Sequence, residues 1–245
     1  MQVTDSATSP SRFTAEIKFL VNAAVGAEIR AWARSRLEAD PHGGGPCADE
    51  YRVSSVYFDT DARDVFHRRG SYGRSKYRIR RYQEAPTVFL ERKLRNGNRL
   101  AKRRTVIDLG ILPLLAVPGA LNGDGTGWFR RRVALRCLEP VCQVSYLRTA
   151  RVGTMADGPV RLTIDDDLRA IVSSSFAFQT EPGRTVLDDR VILELKYQER
   201  IPAVFRQLMD EFRIAPRRSS KYRLAARALG LIAVTPGEAR QMLDA

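Results

Sequence analysis

Basic and acidic residues recur at alternate positions along several short segments of the chain. In an extended strand such positions project from one face, so each segment would gather its polar side chains together. These positions are Glu16 and Lys18; Lys76, Arg78 and Arg80; Glu91 and Lys93; Lys102 and Arg104; Tyr146 and Arg148; Arg161, Thr163 and Asp165; and Glu194 and Lys196. Arginine forks and lysine ammonium groups match phosphate oxygens, and carboxylates among them hold the divalent ion that phosphates share. The pattern therefore indicates a site for a molecule with several phosphates.

The same alternation has a simpler interpretation, a sheet face exposed to solvent, which is what alternating apolar and charged residues usually mean. Two features argue against it. Several strands place Arg or Lys where strand propensity favours Thr or Val, and four of them carry Glu or Asp on the same face. An enclosed lining explains both features, because buried cations need acidic partners when no ligand is bound.

The charge of the whole chain agrees with an anionic partner. Lys and Arg number 41 against 28 Asp and Glu, which gives a net charge of +13 and a pI near 10.2. Such a balance attracts nucleic acid, anionic membranes, nucleotides and inorganic polyphosphate alike. No RNP, zinc-finger or basic-helix pattern occurs, so nucleic acid is the least expected of these partners.

Other residue types exclude several classes of protein. The three cysteines (Cys47, Cys137 and Cys142) are too few for a disulfide framework and have no zinc-ligand spacing. The N-terminal residues lack the pattern of a signal peptide, and no stretch approaches the ~20 apolar residues of a membrane span. We therefore expect a cytoplasmic setting and no membrane span in this chain. His42 and His67 lie in polar segments and are expected at the surface rather than in catalysis.

Eight segments have the composition and turn boundaries of strands: 13–20, 51–59, 75–83, 87–94, 101–108, 142–150, 159–166 and 190–197. About eight antiparallel strands can curl into a barrel, which removes exposed sheet edges and leaves an interior wide enough for a slim ligand. The predicted fold class is therefore α+β, an eight-stranded antiparallel β-barrel with flanking helices.

Helices are predicted over 23–37, 109–117, 127–138, 201–213 and 220–229, with a turn between 118 and 125. The last helix follows Arg217, Arg218, Ser219 and Ser220, and a helix N-terminus with such side chains favours anions. We predict a flexible arm at 1–11, one domain at 12–232 and a tail at 233–245.

Eight short motifs occur in a fixed order: FTAEIKF at 13–19, SVYFDT at 55–60, YRIR at 77–80, FLERK at 89–93, YLRT at 146–149, VRLTID at 160–165, ILELK at 192–196 and SSKY at 219–222. Each is short, but the ordered set is specific. Through it the chain resembles, over roughly residues 12–230, the VTC (vacuolar transporter chaperone) domain. That domain is the polyphosphate polymerase branch of the triphosphate tunnel metalloenzymes, a CYTH-like superfamily.

The resemblance implies a tunnel fold with a C-terminal helix at the tunnel, and a role for individual residues. The implied catalytic residues are Lys18, Arg78, Arg80, Lys93, Arg148, Arg161 and Glu194. The implied phosphate-binding residues are Lys102, Tyr146, Lys196, Arg218, Ser220 and Lys221, with Arg218 where the family tends to have lysine. Glu194 would bind Mn²⁺ or Mg²⁺, with Glu16, Glu91 and Asp165 as candidate helpers.

The function implied is transfer of the ATP γ-phosphate onto a growing polyphosphate chain. A triphosphate or polyphosphate hydrolase on the same fold and a non-catalytic polyphosphate-binding module are the alternatives. Hydrolytic relatives carry Glu-x-Glu-x-Lys near the N-terminus. Here Thr14 replaces the first glutamate before Glu16 and Lys18, which favours the VTC branch.

Overall fold

The computed structural model describes residues 15–96, 99–117, 120 and 125–232, without the side chains of 95, 96 and 99–101. The predicted arm at 1–11, the tail at 233–245 and most of the predicted turn at 118–125 lie outside these residues. Within them, ten strands form one antiparallel sheet: β1 (Ala15–Asn22), β2 (Glu38–Ala39), β3 (Glu50–Asp59), β4 (Ser75–Tyr82), β5 (Thr87–Asn96), β6 (Arg99–Asp108), β7 (Glu139–Met155), β8 (Gly158–Val172), β9 (Arg184–Thr185) and β10 (Arg190–Tyr197).

The eight long strands lie in the order β1-β10-β8-β7-β3-β4-β5-β6, and the two-residue strands β2 and β9 pair with β7 and β8. β1 and β6 are the two ends of this hydrogen-bonded order. Yet Nζ of Lys93 in β5 lies 3.6 Å from Oε1 of Glu16 in β1, so the sheet curls until its two sides meet through side chains. The predicted eight-stranded antiparallel arrangement is confirmed. In the described part, main-chain hydrogen bonds do not close it.

Five α-helices and two 3₁₀ helices flank the sheet in the described chain: α1 (Ala23–Arg36), α2 (Asp64–His67), α3 (Gly127–Leu135), α4 (Ala203–Glu211), α5 (Lys221–Ala228), and 3₁₀ turns at Gly70–Arg74 and Leu109–Ala116. The helix predicted at 109–117 is of the 3₁₀ type, with Pro113, which lacks an N–H, in its middle. The short helix α2 was not predicted. None of the described helices is long and apolar enough to cross a membrane.

Apolar packing on the outer side of the sheet fixes which side chains face inward. Phe19 of β1 and Leu193 and Leu195 of β10 are buried with Trp32 of α1 and Phe205 of α4. Each such side chain contributes about 1.5–3 kcal/mol to stability through burial. Residues that alternate with Phe19, Leu193 and Leu195 must point to the opposite face, and a one-residue slip of register would exchange the two faces. The charged positions of these strands are therefore forced inward.

Candidate active site

The inner faces of the curled sheet, together with the start of α5, enclose a cavity of about 1160 Å³. Of the described residues that line it, twelve are Lys or Arg and three are Glu. The lining cations are Lys18, Arg68, Arg74, Lys76, Arg78, Arg80, Lys93, Arg148, Lys196, Arg217, Arg218 and Lys221, and the lining acids are Glu16, Glu194 and Glu199. So strong an excess of positive charge makes the cavity a site for polyanions.

Two glutamates share two lysines on the β1–β10 side of the cavity. Nζ of Lys18 lies 2.7 Å from Oε1 of Glu194 and 3.0 Å from Oε1 of Glu16. Nζ of Lys196 lies 3.6 Å from Oε2 of Glu16 and 3.8 Å from Oε2 of Glu194. Burial and Glu194 oppose ionisation of Glu16, but Lys18, Lys196 and Lys93 outweigh them and lower its pKa from 4.5 to about 2. Both carboxylates are therefore anionic at neutral pH.

A second group of ion pairs, which we call the paired cluster, comprises Arg148, Asp165, Glu194 and Lys221. Arg148 donates from Nε and Nη2 to the two oxygens of Asp165, at 2.6 and 2.8 Å. Lys221 Nζ contacts Asp165 as well and lies 2.9 Å from Oε1 of Glu194. Asp165 is fully buried. Burial raises its pKa, but Arg148 and Lys221 outweigh that effect and hold the pKa below its usual value.

On the β4–β6 side of the cavity, Glu91 of β5 forms ion pairs with three cations. It pairs with Arg78 (Nε to Oε2, 2.7 Å), Lys102 (Nζ to Oε1, 2.8 Å) and Arg104 (Nη2 to Oε1, 2.6 Å). Burial disfavours its charge, but Arg78, Arg80, Lys102 and Arg104 together hold its pKa well below the usual range. Only Arg78 of this group lines the cavity in the described part of the chain, so Glu91 acts as a counter-ion behind it.

Arg80 is held differently, by hydroxyl groups. Its Nε donates to Oγ of Ser55 at 3.0 Å and its Nη2 to the hydroxyl of Tyr146 at 3.2 Å. Among the described residues no carboxylate forms an ion pair with it, although Arg80 is only 5% exposed. The guanidinium is thus oriented on the cavity wall with its charge uncompensated by a direct partner.

The start of α5 is fastened over the cavity by three contacts. The main-chain N–H of Arg217 donates to the carbonyl of Lys18 at 2.7 Å. The hydroxyl of Tyr222 donates to Asp59, which also accepts from the main-chain N–H groups of Val65 and Phe66. Ser220 does not cap the helix with its side chain; its Oγ accepts from Lys76 Nζ at 2.8 Å. Lys221 is thereby directed at Asp165 and Glu194.

The structure brings together most of the predicted site residues. Twelve of them line the cavity within the described chain: Glu16, Lys18, Arg78, Arg80, Lys93, Tyr146, Arg148, Glu194, Lys196, Arg218, Ser220 and Lys221. Arg161 does not line it. Its Nη2 lies 2.8 Å from Oδ2 of Asp40 and donates to the hydroxyl of Tyr51. Lys102, Glu91 and Asp165 also lie outside the lining, in the ion pairs described above.

Four lining cations have no role assigned from the sequence. Arg68 and Arg74 lie in the connection from α2 to β4, where no strand or helix periodicity predicts them. Lys76 belongs to the alternating set of β4, and Arg217 precedes Arg218 before the last helix, but the resemblance implied no role for either. Tyr57, the strand neighbour of Arg78, likewise lines the cavity.

Comparison with known families agrees with this arrangement. The model of the VTC domain matches residues 13–229. The chain belongs to the VTC domain family. No curated protein matches it in sequence.

Two solved structures resemble this VTC domain in fold. One is a protein of Bacillus halodurans provisionally assigned as an adenylate cyclase, with 15% identity, a TM-score of 0.51, and coverage of 84% of this chain and 92% of that chain. The other is a Hippeastrum protein, provisionally assigned as an adenylyl cyclase, whose dominant activity is described as that of a triphosphatase. It has 15% identity, a TM-score of 0.52, and coverage of 90% and 97%. At this identity they show the tunnel fold alone.

The donors of the VTC domain fit a divalent ion only together with a substrate. Glu16 and Glu194 line the cavity side by side, but the described residues contain no group of three or more His, Cys, Asp or Glu side chains arranged to hold a metal ion by themselves. Mg²⁺ commonly takes one or two protein carboxylates and completes its shell with substrate phosphates and water. Glu16 and Glu194 would therefore hold the ion, and phosphate oxygens would supply the remaining ligands.

Proposed function

We propose that this domain transfers the γ-phosphoryl group of ATP to the end of a polyphosphate chain. The convergence of twelve Lys and Arg side chains on one cavity carries the proposal; they come from several strands, from the connection between α2 and β4, and from the start of α5 and the residues before it. Such a surplus of positive charge suits a ligand with many phosphates, and the enclosed lining would hold donor and acceptor in one channel. The proposal assigns the reaction to the cytoplasm, where ATP is available.

The reaction requires that ATP and the end of the polyphosphate chain be positioned in line and that their negative charge be neutralised. An oxygen of the terminal polyphosphate unit attacks the γ-phosphorus, the bond from that phosphorus to the β–γ bridging oxygen breaks, and ADP leaves. The attacking phosphate oxygen is already ionised, so the protein need not supply a general base. Because the transition state is loose, charge spreads over the equatorial oxygens of the transferred group. Arg80 and Arg148, both buried and rigidly held, are placed to stabilise that charge.

Other side chains divide the remaining work. Lys18, Arg78 and Lys221 would hold the phosphates on either side of the transferred group, since all three line the cavity. A bound Mn²⁺ or Mg²⁺ would neutralise phosphate charge and polarise the transferred group. Glu16 and Glu194 would orient it, and their shared contacts to Lys18 keep them close together.

A hydrolase is the second candidate. It would use the same cavity with water as the acceptor, and the fold shared with the Hippeastrum protein described as a triphosphatase favours it. The presence of Glu16 beside Glu194 also suits it, because two carboxylates suffice for a phosphate-bound ion. Thr14 in place of a further glutamate argues for the polymerase.

Incubation of the purified protein with ATP and Mn²⁺ tests the proposal. We expect a ladder of phosphate polymers on a gel and ADP in equal amount to the phosphate incorporated. Release of free phosphate without polymers would support the hydrolase and contradict the polymerase. Turnover of neither kind, with polyphosphate still bound, would indicate a non-catalytic binding module.

The variant Glu194→Gln sharpens this test. We expect metal-dependent turnover to fall by about 100-fold or more, since a neutral amide binds a divalent cation much more weakly than a carboxylate does. Binding of triphosphate without metal should persist, because the cations remain. Glu84→Gln is the matched control, since the Glu84 side chain is 89% exposed, and it should leave turnover unchanged.

A further inference from the structure

The cations that line the cavity differ in whether a carboxylate accompanies them. Lys18, Arg78, Lys93, Arg148, Lys196 and Lys221 each form an ion pair with Glu16, Glu91, Asp165 or Glu194. Arg68, Arg74 and Lys76, which we call the unpaired cluster, have no ion pair with any described carboxylate. Nothing in the proposed transfer reaction uses these three residues.

The main chain that carries the unpaired cluster is tightly built. Arg68 ends α2 in a left-handed conformation (φ 59°), and residues 70–74 form the 3₁₀ turn. A side chain at Gly73 would bring a Cβ atom within 2.8 Å of the carbonyl oxygen of Arg68, so this close approach requires glycine. Arg68 and Arg74 are exposed and Lys76 is half-buried, which places the cluster where the cavity opens to solvent.

Lys76 shows the electrostatic consequence of the missing carboxylate. Lys18 faces it from β1, Lys93 from β5, Arg68 from the end of α2 and Arg78 from its own strand, while Ser220 Oγ accepts its hydrogen bond. Burial, together with these four cations, lowers its pKa from 10.5 to about 7. Cations gathered in a cleft without anions are unfavourable, so an anionic ligand would relieve their repulsion.

We propose that the unpaired cluster binds phosphate units of a polyphosphate chain beyond those held by the paired cations, and so favours long chains over triphosphate. The inference deepens the proposed function, on which it rests, by assigning chain-length preference to Arg68, Arg74 and Lys76. The cluster lines the same cavity as Lys18, Arg78 and Lys93, so a chain that leaves the interior toward solvent would pass it.

Binding measurements without metal test the inference separately from catalysis. Isothermal titration calorimetry would compare sodium triphosphate with long-chain inorganic polyphosphate, for the wild type, Arg68→Gln/Arg74→Gln, and the same variant with Lys76→Met. We expect the substitutions to weaken long-chain binding by about tenfold or more and triphosphate binding by at most about twofold. The dependence of long-chain affinity on salt should also become shallower, because fewer phosphates are neutralised.

Arg131→Gln/Arg132→Gln is the matched control. It removes two charges, as Arg68→Gln/Arg74→Gln does, from an exposed part of α3 that does not line the cavity among the described residues. Thermal melting checks that each variant folds. If the control lost as much long-chain affinity, the loss in the cluster variants would be explained by net charge alone, and the inference would be overturned. Unchanged long-chain affinity in the cluster variants would overturn it too.

The outcomes also separate this inference from the proposed function. If the wild type makes polyphosphate from ATP but the cluster variants keep their long-chain affinity, only the chain-length assignment fails. If the wild type binds neither triphosphate nor polyphosphate, both proposals fail. Equal weakening of triphosphate and long-chain binding would make the cluster part of the interior site and would contradict a role in chain length.

Discussion

The paired and unpaired clusters line the same cavity but are built in opposite ways. In the paired cluster, Arg148 and Lys221 converge on Asp165, a fully buried carboxylate. In the unpaired cluster, Lys76 has only a serine hydroxyl as its hydrogen-bond partner and four cations around it. The cations of the paired cluster have carboxylate partners within the fold, whereas Arg68, Arg74 and Lys76 have none among the described residues.

The difference follows from the cost of burying charge. A deeply buried cation without a partner is strongly destabilising, so the fold supplies carboxylates to Arg148 and Lys221, and hydroxyl groups to Arg80. Near the opening, water and mobile ions reduce that cost, and cations can remain available for a ligand. Carboxylate pairing therefore distinguishes two kinds of cation. The charge of one kind is balanced within the fold, and the anionic partner of the other is expected to come from solution.

The largest effect is expected from breaking the paired cluster. Asp165→Asn removes the shared anion but keeps the size of the side chain. Arg148 then has no ion-pair partner among the described residues, and Lys221 keeps only Glu194. We expect the free energy of unfolding, from urea denaturation at neutral pH, to fall by about 3–5 kcal/mol. Because the folded pKa of Asp165 is depressed, this contribution is present above the unfolded pKa and is lost as pH falls.

Asp167→Asn is the control for that variant. Asp167 pairs with Arg52 and Arg169, its side chain is 36% exposed, and its φ of 47° suits asparagine. We expect a loss below about 1 kcal/mol, as for other exposed pairs. If both variants lost the same free energy of unfolding, the distinction between buried ion pairs and solvent-screened surface pairs would be contradicted.

A smaller effect is expected where the two clusters meet. Ser220 contacts Lys76 and Lys221 contacts Asp165, so the start of α5 joins the clusters. Tyr222→Phe removes the hydroxyl that ties α5 to Asp59. We expect a loss of about 1–2 kcal/mol in stability and a raised Kd for triphosphate, because Lys221 is then less well positioned. Val133→Ala, in α3, should lose similar stability without changing Kd.

The smallest effect concerns the protonation of Lys76. At pH 8, above its pKa of about 7, Lys76 is mostly neutral in the free protein. A bound polyphosphate would raise that pKa, so binding should take up a proton and weaken as pH rises above 7. Calorimetry in two buffers of different ionisation enthalpy measures the uptake. Lys76→Met should reduce this proton uptake. Equal uptake in the wild type and the variant would contradict binding of the ligand near Lys76.

The sequence predicts the sheet better than it predicts the site. Alternation places the strand at 51–59, and the structure has Glu50–Asp59. The strands predicted at 142–150 and 159–166 extend to Glu139–Met155 and Gly158–Val172. The prediction for β8 stops beside Asp167, whose φ is 47° and where the register against β7 shifts. Local pattern thus identifies strands, while bulges conceal their full length.

Alternation gives the face of a side chain but not its neighbours. Arg161 belongs to the predicted inner set, yet Asp40, more than a hundred residues away in sequence, takes it out of the cavity lining. Glu91 and Glu194 are indistinguishable in the sequence, although one lies behind arginines and the other lines the cavity. How deeply a side chain lies in the tunnel depends on the curl of the whole sheet, and the sequence of a single strand does not predict that curl.

We conclude that these cations enclose a site for a chain of phosphates. A crystal structure with triphosphate and Mn²⁺, using the anomalous signal of manganese, would show whether they do. We predict phosphate oxygens within hydrogen-bond distance of Lys18, Arg78, Arg80 and Arg148, and Mn²⁺ against Glu16 or Glu194. Triphosphate bound on the outer surface, with the cavity filled only by water, would contradict the account.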